Sequence, residues 1–385
     1  MHKKKGGSLD WLVAARGYAM FGVFLGHLID CYYDHDAYEQ IIPTMKVVGQ
    51  LLEPTFVPFF AILTGAFYSR GTSHYPAYVK LKFSQRIFPV YFYLLLVLPF
   101  YFIFPDPEKP LQETLTWGLG YLVGVPWLSW PSWFLVALFT SEMVYFFIQP
   151  HAKGKYRIWG LALACYTVGW GYNHFVFNYP GKIGLIGMFW MLHTSMLFCA
   201  FFLVGAWVKP YLIRMSRWPD WKVWLLALIA VVVMYPAATF NDISPPPEGS
   251  LYALFFKRPM AVISVGVYGH YILFMLSTLG GAAVLLCISR LLPATKFMRL
   301  CGDQSLVLLG LNGIFMNVLN RYLVEMFRPP EGSVVWALAY AFVVAAVTFA
   351  LCLPVAIWIS KYFPQLTGRP MLAGPILPAL YKKNQ

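Results

Sequence analysis

Charge is scarce in this chain. Asp, Glu, Lys and Arg make up only 12% of its 385 residues, about half the share usual in soluble domains. Against that scarcity, 59% of the residues are hydrophobic and 18% aromatic, and the mean hydropathy is +0.61. That much apolar surface excludes a single soluble domain and points to a polytopic membrane protein. Patterned cysteine is lacking too. Cys31, Cys165, Cys199, Cys287, Cys301 and Cys352 are scattered without Cys-x-x-Cys or Cys/His spacing, so neither a disulfide framework nor a metal site is expected. The sequence contains no internal repeat, low-complexity tract or appended soluble domain. The first apolar run is interrupted by Arg16 and has no small-residue cleavage pattern behind it, so it reads as a retained span and not as a secretory signal.

What the chain does have is a series of apolar runs, near 11–33, 47–68, 87–104, 132–149, 157–174, 185–208, 222–240, 260–288, 304–324 and 334–359. Each is close to the roughly 20 residues that a membrane crossing needs. The expected fold is therefore all-α: one integral-membrane domain over 1–385, with about ten transmembrane helices and both termini cytoplasmic. The basic residues support that topology. They gather at 3–5, 70–86, 153–157, 209–222, 290–299 and from 361 onward, which places twenty-one of the 29 Lys and Arg residues in alternate segments. Such a bias marks the cytoplasmic side. The net charge of +13 thus reports orientation and contact with the lipid bilayer, and no nucleic-acid partner is expected. A shorter run at 115–127, rich in Gly and aromatics, is too short to span and reads as an interfacial or re-entrant piece.

Polar groups inside the runs are the candidates for function. Arg16 and His27 stand eleven residues apart, about 20° short of or past a whole number of helical turns, so they share one face about 16 Å apart along the axis. A charge at the centre of a span costs about 2.5–3.5 kcal/mol on insertion scales and suggests function by default. Snorkelling of Arg16 and a packing role for His27 are the plain alternatives. Asp30, three residues past His27, and Glu53, at similar depth in span two, could each hold the imidazole and leave its other nitrogen as a base. Lys82 and Arg86 enter span three on the same side as Arg16. Converging cations there suit a phosphorylated ligand, although they also fit ordinary cytoplasmic flanking. Glu142 lies within span four, with Arg16, Arg86 or water as its possible partner.

Several stretches in order resemble the membrane-bound acyltransferase-3 family: Arg16-x10-His27, PFFAILTG, RIFPVY, SWFLVALF, FFLVGAWV, GDQSLVLLGLN and FPQLTGRP. The set is closest to the glucan succinyltransferase and sugar O-acetylase branches. Three positions depart from the pattern: Thr64-Gly65 replaces Ser-Gly, Phe83 takes the place of the first of two arginines in span three, and Asn312 stands where a histidine is common. The resemblance implies a protein of the inner or plasma membrane that moves an acetyl or succinyl group from cytoplasmic acyl-CoA to a hydroxyl of an extracytoplasmic glycan or lipid-linked sugar. In that reading His27 is the general base, held by Asp30 or Glu53. The donor side comprises Arg16, Arg86, Lys82 and Glu142, and Trp130, Ser132 and Trp133 lie on the acceptor side. No tightly bound cofactor or metal is implied, acyl-CoA being a co-substrate. The competing reading is a transporter or flippase for such a sugar, for which the inverted repeats and paired broken helices common in transporters are not evident.

Overall fold

Residues 9–34, 42–72, 74–105, 111–177, 185–245, 259–330 and 333–381 are described by a computed structural model. The lysines at 3–5 and 382–383, and much of the acidic outer loops, lie outside the described residues. With the helices numbered in chain order, α1 (Asp10–Asp34), α2 (Ile42–Ala66), α3 (Tyr75–Ile103), α4 (Leu111–Leu119), α5 (Trp133–Ile148) and α6 (Lys155–Tyr172) form the first half. The second half comprises α7 (Leu192–Met215), α8 (Asp220–Thr239), α9 (Tyr271–Leu291), α10 (Lys296–Asp303), α11 (Ser305–Ile314), α12 (Asn320–Met326) and α13 (Val334–Tyr362). β-Pairing among the described residues is limited to one isolated bridge, Val262 to Val267. In lipid a segment must satisfy its own backbone groups, and uninterrupted helices do so.

The protein is an all-α polytopic membrane protein. Among the described residues nine helical stretches are long and apolar enough to cross a bilayer. The run expected at 157–174 is also helical, as the 18-residue α6, but Lys155, Arg157 and its Gly, Trp and Tyr content leave it less apolar than the nine. Several boundaries differ from the sequence reading. α3 begins at Tyr75, so Lys82 and Arg86 lie well inside the helix and not at its entrance. The run at 260–288 starts its helix only at Tyr271. The run at 304–324 is broken by a π-helical turn, Phe315–Leu319, a feature that often marks functional sites. The segment expected to be interfacial or re-entrant divides in two. Leu115, Leu119 and Leu122 are exposed, whereas Val125 and Trp127 at its end are buried, as is the turn that follows through Ser132.

Two helix crossings are close because each helix offers a glycine to the other's backbone. A Cβ on Gly65 of α2 would stand 2.2 Å from Phe202 O of α7, and one on Gly205 of α7 would stand 2.0 Å from Ile62 O of α2. The same reciprocity joins α1 and α10: a Cβ on Gly17 would lie 2.3 Å from Met298 O, and one on Gly302 would lie 1.8 Å from Val13 O. Small residues allow backbones to approach this closely in membranes, where packing rather than the hydrophobic effect drives association. The second crossing seats α10 on the start of α1 and brings its next residue, Asp303, to Arg16.

Candidate active site

A cavity of about 840 Å³ runs along one stripe of α1, through Leu12, Arg16, Met20, Val23, His27 and Asp30. These positions recur every three or four residues, so they stack on a single helical face. From Leu12 to Asp30 the stripe climbs about 27 Å at 1.5 Å per residue, close to the thickness of a bilayer's hydrocarbon core. Arg16 and His27 therefore open onto one shared space. Much of the remaining wall is apolar and aromatic, with Phe56 and Phe60 from α2 and Trp133, Phe134 and Leu138 from α5.

The His27 end is built by α1 and α11. His27 Nδ1 lies 2.5 Å from the side-chain oxygen of Asn312, which is itself buried. With the amide oxygen accepting, the Nδ1 proton is fixed in place. Nε2 has no protein hydrogen-bond partner among the described residues. The partner the geometry gives Nδ1 is thus Asn312, not Asp30 or Glu53. Both of those carboxylates line the same cavity, and Glu53 makes no hydrogen bond or ion pair among the described residues. Close by, the π-helical turn presents Asn317, whose oxygen accepts from Trp130 N and whose amide donates to Trp127 O, each at 3.0 Å. That double clamp ties down the buried turn leading into α5. Of the three residues assigned to the acceptor side, only Trp133 lines the cavity. Trp130 is stacked on Trp127 at 5.2 Å, and the Ser132 hydroxyl is buried against that of Ser129 at 3.0 Å. Both lie behind the wall.

Further along, Glu142 is 1% exposed and meets two cations. Lys82 Nζ stands 2.7 Å from its Oε1, and Arg86 grips both oxygens, Nε to Oε2 at 3.1 Å and Nη2 to Oε1 at 3.0 Å. A fork of this kind on a carboxylate is the strong geometry for Arg. It satisfies the buried charges of Glu142 and Lys82 and the half-buried one of Arg86, where an unpartnered buried charge would be costly. Glu142 accordingly pairs with Arg86 and Lys82 and not with Arg16, and the two α3 cations are already engaged.

Arg16 instead reaches Asp303, with Nη2 3.7 Å from Oδ1, a carboxylate whose side chain is 56% exposed. Arg369 arrives at the same place from beyond α13, its Nη2 donating to the Asp303 carbonyl at 3.0 Å. The cavity is lined by four cations (Arg16, Lys82, Arg86, Arg369) and four carboxylates (Asp30, Glu53, Glu142, Asp303). They are not evenly mixed. All four cations, with Glu142 and Asp303, lie away from His27, whereas Asp30 and Glu53 stand at its end, so the formal charge falls from positive to negative along the passage. Sequence reasoning passed over Asp303 and Arg369 as site residues. Asp303 is an ordinary charge at a helix end and Arg369 one in the tail beyond α13, and only the α1–α10 crossing and the chain's return after α13 bring them to Arg16.

Comparison with known proteins adds one finding. A family model described as an acyltransferase domain matches residues 9–356. No curated protein and no solved structure matches the chain.

Proposed function

The chain belongs to the acyltransferase-3 family, and from that membership we propose that it moves an acyl group, acetyl or succinyl, from acyl-CoA at the cytoplasmic face to a hydroxyl of a glycan or lipid-linked sugar on the far side. The observation that carries this reading is the single cavity on which Arg16 and His27 both open. The positive end takes the donor's phosphates, with Arg16 at the mouth facing the cytoplasm. The pantetheine arm then lies along the α1 stripe, whose Arg16-to-His27 climb of about 16 Å matches its reach, and brings the thioester to His27.

The chemistry asked of His27 is proton transfer. Its Nε2 takes the proton of the acceptor hydroxyl as that oxygen attacks the thioester carbonyl. The tetrahedral adduct then collapses, the carbon–sulfur bond breaks, and the same proton passes to the departing thiolate. An ester and free CoA result. Asn312 supports this role by holding the Nδ1 proton, which keeps Nε2 as the basic nitrogen. Apolar walls of Phe56, Phe60 and Phe134 keep water from the thioester. Asp30 and Glu53, at the acceptor end, supply hydrogen-bond acceptors for sugar hydroxyls. Lys82 and Arg86, spent on Glu142, form a fixed cluster of net positive charge rather than a free grip.

The test uses purified full-length protein reconstituted with acyl-CoA and a sugar acceptor, followed by mass spectrometry of the acceptor. The wild type should transfer the acyl group and His27→Ala should lose the activity. Undiminished transfer by that variant, or acceptor movement across the bilayer without any acyl chemistry, overturns the reading, the second outcome in favour of a transporter.

A further inference from the structure

Past α13 the chain continues beyond the stretch that the family model matches and folds back over the positive end of the cavity. It passes through a short turn, Pro364–Thr367, and then Gly368 at φ +83°. A Cβ at Gly368 would stand 3.1 Å from Gln85 O and 3.3 Å from Leu306 Cδ1, so both the left-handed backbone and the space call for glycine. The returning strap is pinned from within. Buried Gln365 donates to Leu377 O, Arg369 N donates to Pro364 O at 3.1 Å, and Tyr381 N donates to Pro370 O at 3.0 Å. Gly368, Arg369 and Met371 thereby reach the cavity wall beside Arg16.

We infer that Arg369 and Arg16 form a clasp for the phosphate groups of the donor, with the Asp303 carboxylate occupying the clasp until an incoming phosphate displaces it. The inference rests on the acyl-CoA reading above and assigns the grip within it. Four observations lead here. Lys82 and Arg86 hold Glu142 at 2.7 and 3.0 Å, and turning them to a phosphate would strip a buried carboxylate of its partners, an unfavourable exchange. The Arg16–Asp303 contact is long, at 3.7 Å, and exposed, and such pairs hold little free energy. Arg369 is anchored by its bond to the Asp303 carbonyl, which a phosphate arriving at the carboxylate need not break. Finally, two guanidiniums converge on Asp303, Arg16 at its carboxylate and Arg369 at its backbone carbonyl, and guanidiniums carry the forked donors that bind phosphate in pairs of hydrogen bonds.

The experiment compares acyl-CoA with the matching S-acyl-pantetheine, which lacks the nucleotide phosphates, on full-length wild type, Arg369→Ala, Arg369→Lys and Asp303→Asn, and measures CoA binding by calorimetry. Wild type should bind CoA and prefer acyl-CoA. Arg369→Ala should weaken CoA binding and lower the kcat/KM preference for acyl-CoA over acyl-pantetheine, each about tenfold, through KM more than kcat, as expected for one lost charge-assisted contact. Lysine should restore part of the loss, and Asp303→Asn should tighten CoA binding severalfold at low salt. A wild-type preference in Arg369→Ala, or equal losses on both donors, overturns the clasp and leaves the strap a packing element. Weaker CoA binding in Asp303→Asn overturns the displacement. If the wild type itself binds no CoA, the acyl-CoA reading fails first and the clasp with it.

Discussion

Replacing Asn312 by Leu should separate chemistry from binding. The amide sits on His27 Nδ1 at 2.5 Å and is 1% exposed, so water is poorly placed to substitute for it. Leucine is close in volume and leaves little void. What it removes is the acceptor that holds the imidazole in the tautomer with a basic Nε2. A neutral hydrogen bond contributes about 0.5–1.5 kcal/mol net, and loss of the group that orients a working histidine in metal sites typically costs 10- to 100-fold in affinity or activity. The expected fall in kcat is therefore about 10- to 100-fold, or about 1.4–2.7 kcal/mol at the transition state, with the donor KM within about twofold because Asn312 lies far from the cationic mouth. Asn312→Asp keeps an acceptor and should retain more activity than the leucine variant. Initial rates of acyl transfer by purified protein measure both. Because the amide acts through the ring, His27→Ala/Asn312→Leu should be no slower than His27→Ala. A leucine variant with wild-type kcat, or a double variant whose losses multiply, would refute the assignment of Asn312.

Other outcomes follow from the same geometry. Glu142→Gln leaves buried Lys82 and half-buried Arg86 without their carboxylate and should destabilise the fold by about 3–5 kcal/mol, seen as a lower thermal midpoint in detergent; an unchanged midpoint would show that the cluster is not structural. Gly26 borders the cavity next to His27, and a Cβ there would meet nothing within 4 Å. Gly26→Val should therefore leave the fold intact while cutting turnover of succinyl-CoA more than that of acetyl-CoA, by about 10-fold on the scale of one or two methylenes in a pocket; equal effects on both donors would place the acyl group elsewhere. Gly205→Leu should give little folded protein, since its side chain would enter the α2 backbone, whereas Gly160→Leu, in open space, should express and melt like the wild type.

Much of the architecture was legible because it depends on local composition. Runs of about twenty apolar residues specify spans, and the eleven-residue step from Arg16 to His27 fixes a shared helical face whatever surrounds it. The cavity beside that face could not be read, since it depends on how α2 packs on α1 and on how α3 and α5 stand across the gap from it. The same limit explains the partners. Asp30 and Glu53 were the near candidates for His27 by spacing and depth, but Asn312, 285 residues away, is brought there by packing. Glu142 had three possible partners until α3 was found to start twelve residues earlier than its apolar run, which carries Lys82 and Arg86 deep enough to reach it. Trp130 and Ser132 belong to a sequence that looks like a wall, yet Asn317 clamps the turn so that of the three acceptor-side candidates Trp133 alone faces the cavity.

The most direct measurement is a cryo-EM structure of the full-length protein with a non-hydrolysable acyl-CoA analogue. The analogue should lie along the α1 stripe, its phosphates at Arg16 and its thioester mimic within hydrogen-bond reach of His27 Nε2 or of a hydroxyl held there. An analogue bound outside this cavity, or lying in it with its phosphates at the His27 end, would contradict the account.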